Sequence, residues 1–374
     1  MTAATPLFTA VPGAVSDATG ILHFGNPLAE QRALAAGRAV VPLDDRRVLA
    51  LTGPERLGWL DSITSQAVGT LAPGACTELL VLDPQGRIEH VAAVVDDGVT
   101  AWLLVDAGDA EPLLTWLMRM RFRTAVELRI ADEYAVIGAI AAEGLGPVPG
   151  HVVATPAGVA LVWRDRWPEP APGGWGYAPA DPHPGAQRHW IEVIVPVGAL
   201  DELAADATSG QLEVAGLLAA EALRVAAWRP RWATEVDERS IPHEVDWLRT
   251  AVHLSKGCYR GQETVAKVHN LGHPPRRLVQ LHLDGSDSVL PAHGAPVRNG
   301  DTVVGAVTSA ALHYQDGPIA LAIVKRSTPA DADLVVDVED AAIAAAQEVI
   351  VPADAGATAS IPRIPRLGRR RAAD

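Results

Sequence analysis

The sequence predicts an α+β fold that ends in a small antiparallel β-barrel. Two features of its patterning carry this expectation. Over residues 40–130, strand-like apolar runs are joined by hairpin turns and interrupted by helix-period segments, unlike the strict strand–helix alternation of a parallel sheet. After Pro274-Pro275 the chain turns to short apolar runs at close spacing, the pattern of a closed antiparallel sheet. The length of 374 residues, with 48% apolar and 20% charged residues, suffices for two or three packed domains.

Taken in order, Arg47 to Leu51 reads as a strand, and Thr52-Gly53-Pro54-Glu55 as a turn into a helix whose Leu57, Leu60, Ile63 and Thr64 share a face. Thr77 to Leu82, the turn Asp83-Pro84-Gln85-Gly86 and Arg87 to Val95 form a hairpin. Trp102 to Val105 adds a strand and Glu111 to Met120 a second helix. From Glu143 to His189 the chain is rich in Pro and Gly; a strand pair is expected near Val152 to Val162, then an irregular excursion. Trp190 to Pro196 is a strand. Ser209 to Trp228 reads as one amphipathic helix with Val214, Leu217, Leu218 and Val225 on one face. The barrel strands are expected at Leu278 to Leu283, Thr302 to Ala311, Ile319 to Val324 and Leu334 to Val338. The boundaries that follow are an N-terminal extension over 1–39, a main body over 40–275 with its excursion near 143–189, a barrel over 276–351 and a disordered basic tail over 352–374.

Composition excludes several classes of function. No run approaches the roughly 18 apolar residues of a bilayer span, and the N-terminus lacks the basic start and apolar stretch of a signal peptide, so a cytoplasmic protein without membrane contact is expected. A formal charge of -14 argues against capture of nucleic acid, and the one basic cluster, Arg363 to Arg371, lies in the tail. Cys76 and Cys258 are the only cysteines, too few for a disulfide framework. His253, Cys258, His269 and His273 do not follow zinc spacing, and an iron–sulfur cluster normally takes more thiolates than this chain has, so no permanent metal is expected. P-loop, GxGxxG and HExxH patterns are absent. Without an obvious exposed apolar helix, a monomer is the expected state.

The most informative stretch is Lys256-Gly257-Cys258-Tyr259-Arg260-Gly261-Gln262-Glu263. Lys256 and Arg260 flank the cysteine at two residues' distance, and nearby cations favour thiolate; a helix starting near Gly261 would add a positive dipole end. Cys258 therefore reads either as a reactive thiol or as a small buried hydrophobe. Trp228 and Trp232, flanking Arg229-Pro230-Arg231, read either as an aromatic wall with cations for a ligand or as packing residues. His90 reads as an acid–base group or an outward strand residue, and His243 as a surface or capping residue more readily than as a catalyst.

The octapeptide matches the signature of YgfZ-type proteins at every position but the one left variable. Gly53-Pro54-Glu55-Arg56, Thr64 to Gly74, Gly86-Arg87-Ile88, Arg277-Leu278-Val279 and Gly305 to Ser309 resemble the wider glycine-cleavage T-protein superfamily, so that about residues 40–340 are covered. The resemblance implies a three-lobed ring: two interleaved ferredoxin-like α+β lobes and a C-terminal antiparallel barrel around a tetrahydrofolate site. It implies an accessory protein that assists assembly or repair of iron–sulfur client enzymes, one of them tied to tRNA modification, with Cys258 and Lys256 in the working role. Arg224, Trp228, Lys256, Tyr259, Gln262 and Glu263 are the implied folate contacts. The alternative is a tetrahydrofolate-dependent aminomethyltransferase or demethylase. Two departures bear on that choice. Aminomethyltransferases carry Gly-x-Ile-x-Asp-Asp where this chain has Gly86-Arg87-Ile88-Glu89-His90-Val91, losing the anion that would face a developing cation. They also carry Arg-Leu-Glu-Ala-Gly where it has Arg224-Val225-Ala226-Ala227-Trp228, losing the glutamate that grips the pterin. Glu235, Asp237 and Glu263 are the candidate substitutes.

Overall fold

The computed structural model describes residues 5–285, 289–338 and 341–359. The chain opens with a small hairpin, Val15–Ser16 against Ile21–His23, and helix α1 (Pro27–Ala35). Asn26 caps α1, its side chain accepting from Ala29 N at 3.1 Å, and Pro27 takes the first turn, where its missing N–H costs nothing. Strands β1 (Ala39–Pro42) and β2 (Arg46–Thr52) follow, then α2 (Arg56–Ile63), β3 (Cys76–Leu82), β4 (Ile88–Asp96), β5 (Thr100–Asp106), α3 (Ala110–Met120), β6 (Glu127–Ile130) and β7 (Tyr134–Ile140). After the Pro/Gly-rich excursion come β8 (Val162–Arg164), β9 (Trp190–Pro196), α4 (Leu200–Ser209), β10 (Glu213–Val214), α5 (Leu217–Ala226) and α6 (Gln262–Leu271). The last six strands are β11 (Arg276–Leu283), β12 (Pro296–Asn299), β13 (Thr302–His313), β14 (Gly317–Lys325), β15 (Leu334–Val338) and β16 (Ala341–Val349).

These strands form two five-stranded sheets and a closed six-stranded barrel, an α+β architecture with a C-terminal antiparallel barrel. One sheet has the order β8-β9-β7-β1-β10, the other β3-β4-β5-β2-β6. The second sheet is thus inserted between β1 and β7 of the first. The sheets pack face to face through Val41, Val48, Ala93, Val95, Trp102, Val136, Trp163, Trp190 and Ile194. Each outer face carries helices: α3 buries Ala110, Leu113 and Leu117, one helical stripe, against the second sheet, and α4 covers the first. The barrel closes around Val279, Leu281, Val307, Ala322, Val324 and Val336, and a separate apolar layer of Trp167, Trp228, Trp247, Tyr259 and Leu278 joins it to the main body.

Two expectations are corrected. The helix expected over Ser209 to Trp228 is confined to α5, because Gly210 stands in the left-handed region (φ 79°) and ends α4, after which Glu213 and Val214 pair in parallel with β1. A stretch recruited by sheet hydrogen bonding overrode a helix-like pattern. The strand pair near Val152 to Val162 is instead a short 3-10 turn at Gly150–Val152 and a tight loop through Gly158, with Ala154 N and Leu161 O bonded to Ile194 of β9. N-terminal residues Phe8, Val11 and Ile21 are buried in the core of the first sheet. Residues 352–359 lie on α6, where Ala355 is buried and Thr358 Oγ1 donates to His269 O at 3.0 Å. The arginines at 363–371 lie outside the described residues. No helix among the described residues is long and apolar enough to cross a membrane.

Candidate functional site

A cavity of about 410 Å³ lies between the two sheets and α5, within the size range of small-molecule sites. Strand alternation builds its walls. On β4, Val91 and Ala93 line it, and His90 turns to the other face, where its Nδ1 lies 2.6 Å from buried Asp109 Oδ1. Trp163 on β8, Trp190 on β9, and Trp232 and Trp247 from the segment after α5 line it as well, so indoles join the aliphatic residues in the apolar part of the wall.

The rest of the wall is charged. Arg46 reaches Glu192 at 2.9 Å and Asp106 at 3.2 Å; Arg231 reaches Asp106 at 3.0 Å and Asp45 at 2.7 Å. Arg229 bridges Glu78 at 2.6 Å and Asp165 at 3.0 Å, and Arg188 shares Asp165 at 2.8 Å. Arg224 pairs with Glu221 at 2.6 Å and with Glu235 at 2.8 Å. Burial opposes ionisation of Glu221, but Arg224 outweighs it and holds the carboxyl at about 2. Burial also opposes the charge on Asp106, yet Arg231 and Arg46 keep its carboxyl below the ordinary range. For Asp45 burial wins over Arg231 and raises the carboxyl, and burial lowers Arg188 to about 10. Three donors on this wall, Arg188 Nε, Arg229 Nη1 and Trp247 Nε1, are buried without a partner among the described residues. Unmade hydrogen bonds on a cavity wall are what an acceptor-bearing ligand would complete.

Of the site residues expected from sequence, Arg224 lines this cavity, as do Arg229, Arg231 and Trp232. Trp228 does not: its indole is buried between barrel and main body, with Nε1 donating to Gln280 Oε1. The octapeptide forms a second locus. Lys256 Nζ donates to the carbonyls of Asp61, Thr64 and Gln66 at 2.5, 2.9 and 2.8 Å, closing the C-terminal end of α2. Tyr259 is buried with its ring 5.5 Å from that ammonium, and burial raises its hydroxyl pKa. Gln262 Nε2 donates to Lys256 O at 3.1 Å, and Glu263 is exposed on the first turn of α6. Cys258 is exposed ahead of that helix. Both flanking cations are engaged elsewhere, Arg260 with Glu89 at 2.8 Å. Gly261, at φ 83°, presses on the β3–β4 turn so closely that a Cβ would come within 2.6 Å of Asp83 O. The loop therefore rests on the turn that leads into β4, and Trp232 Nε1 donates to Glu89 O at 3.0 Å. Cys76, by contrast, is half-buried; burial raises its thiol, and its Sγ accepts from Arg164 N at 3.3 Å.

Among the candidate substitutes for the missing glutamate, Glu235 is saturated by Arg224, Thr234, Ser309 and Arg231 N, Asp237 pairs with Arg276, and Glu263 stands outside. Sequence reasoning missed Asp45, Arg46, Glu78, Asp106, Asp165, Arg188 and Glu192. The signal was present in charges set within apolar strand runs, such as Glu78 in CTELLVL and Glu192 in WIEVIVP. His243 is fully buried, its Nε2 on Val265 O at 3.0 Å, and burial holds it at about 3. Among the described residues no group of three or more His, Cys, Asp or Glu is placed to hold a metal ion.

Comparison with known proteins gives three kinds of likeness. Residues 276–352 match the family model for the glycine cleavage T-protein C-terminal barrel domain. An aminomethyltransferase of Rippkaea orientalis is 28% identical over 306 residues, covering 74% of this chain and 76% of that protein; one of Synechococcus elongatus is 25% identical over 308 residues, 77% of each. Among solved structures, the glycine cleavage system aminomethyltransferase T of Bartonella henselae superposes with a TM-score of 0.68 at 17% identity, covering 91% of this chain and 94% of that one.

Proposed function

We propose, from the likeness of its C-terminal barrel and of its aminomethyltransferase relatives to the glycine-cleavage T-protein superfamily, that the chain binds a reduced folate in the cavity between its two sheets. The observation that supports this most is the wall itself: four indoles to take a flat pterin face, and three buried donors, Arg188 Nε, Arg229 Nη1 and Trp247 Nε1, awaiting acceptors. Adding tetrahydrofolate to the purified protein should quench tryptophan emission saturably. Emission that stays unchanged at saturating folate would contradict the reading.

Two readings of what the folate does have separate support. The relatives are named aminomethyltransferases, which favours one-carbon transfer to tetrahydrofolate. On that reading the carboxylates of the wall serve the developing cation, since His90 and Val91 stand where those relatives carry Asp-Asp and, of the two, Val91 lines the cavity. The exposed Cys258 in the octapeptide favours the second reading, an accessory protein for iron–sulfur client enzymes that uses the thiol and the folate together. One assay separates them. Incubation with tetrahydrofolate and a lipoyl-bound aminomethyl donor or a methylated amine yields methylene-tetrahydrofolate at enzymatic rates on the first reading. On the second it yields none, and Cys258→Ala abolishes support of the client enzymes in cells.

A further inference from the structure

Six carboxylates line the cavity: Asp45, Glu78, Asp106, Asp165, Glu192 and Glu221. Five are fully engaged. Glu78 accepts from Arg229 and Thr250, and Asp106 from Arg46, Arg231 and Ala233 N. Asp165 accepts from Arg188, Arg229 and Trp167 N, Glu192 from Arg46 and Trp190, and Glu221 from Arg224 through both oxygens. Asp45 differs: one oxygen is 2.7 Å from Arg231 Nη2, and Oδ1 is buried without any partner among the described residues. A buried carboxylate oxygen left unbonded is costly unless a ligand donor fills it. The family's own pterin carboxylate is missing, with Ala226 in its place, and Ala226 packs in the layer toward the barrel instead of lining the cavity.

We propose that Asp45 reads the donor edge of the bound ligand, the 2-amino and N3–H pair of the pterin's aminopyrimidinone ring, from β2's side of the cavity. Oδ1 takes the 2-amino group, and the oxygen already facing Arg231 has a second lone pair for N3–H. Arg231 and Arg46 hold the carboxylate's surroundings in place through their shared partner Asp106, so the acceptor is positioned before the ligand arrives. The specificity that follows is for 2-amino-4-oxo pteridines over rings lacking the 2-amino donor.

This assignment rests on the folate reading, and one set of titrations keeps the two apart. Wild type and Asp45→Asn are titrated calorimetrically with 5-formyltetrahydrofolate and with its 2-desamino-2-methyl analogue, thermal melts being recorded alongside. Wild type should bind the parent compound and lose at least tenfold on removal of the 2-amino group; Asp45→Asn should bind the parent at least tenfold more weakly and discriminate between the two less than twofold. If wild type binds neither compound, the folate reading and this assignment fall together. If wild type binds but Asp45→Asn keeps its affinity or its discrimination, only Asp45 is overturned. Should Asp45→Asn fail to fold, wild type alone decides, since equal binding of parent and analogue removes the donor edge from the recognition.

Discussion

Lys256 and Cys258 are two residues apart in the sequence, yet the structure gives them different work. Three carbonyls at the end of α2 depend on the Lys256 ammonium, so Lys256→Met leaves buried acceptors unbonded and should destabilise the protein by about 2–4 kcal/mol in urea titration. A loss under ~1 kcal/mol would show that the lysine is free for another role. Cys258 is exposed and should tolerate Cys258→Ala with a melting temperature within about 1 °C of wild type, which makes any loss of function in that variant chemical. The sequence placed the cysteine beside two cations. It did not reveal that each cation faces away to a distant partner, because Asp61 and Glu89 come near only when α2 and β4 fold against the loop.

At the scale of elements, the hairpin β3–β4, helices α2 and α3, β9 and four barrel strands were readable from local periodicity, since each buries one face against a neighbour. The short strands β8, β10 and β12 were not, because two to four residues carry no period and owe their form to a partner strand. Two elements depend on each other at the β3–β4 turn. Gly261→Ala puts a Cβ against Asp83 O at a left-handed φ and should cost about 2–3 kcal/mol while displacing the loop; hydrogen exchange at the β3–β4 turn should rise with it. The ion network under α5 is more sensitive. Arg224→Met strands Glu221 and Glu235 together and should lower unfolding free energy by about 3–5 kcal/mol. An unchanged urea midpoint would mean that the network contributes nothing to stability.

Over the whole molecule, the cavity arises from long-range assembly. Its walls come from both sheets and from the segment after α5, and the charges that line it sit singly in runs that otherwise read as core. That is why Arg224, Arg229 and Trp232, clustered in sequence, could be anticipated, whereas Asp45, Asp106 and Glu192 could not. Burial also sets a global pH response. His183 is held at about 4 and His243 at about 3, both by desolvation of the imidazolium. Below about pH 6.5 the unfolded chain takes up protons that these folded histidines refuse, so stability should fall steadily from pH 6.5 toward 4. Glu221, held at about 2 by Arg224 despite burial, adds to the loss below about pH 4.5. A urea midpoint that stays flat from pH 7 to 4 would contradict that placement of the histidines. The central claim, a reduced folate between the sheets, is tested most directly by calorimetric titration of wild type and Ala220→Trp with tetrahydrofolate. Ala220 lines the cavity from α5, and an indole there fills it. Micromolar binding to wild type, weakened at least tenfold in a folded Ala220→Trp protein, is the expected result; no binding to wild type, or equal binding to both, would contradict it.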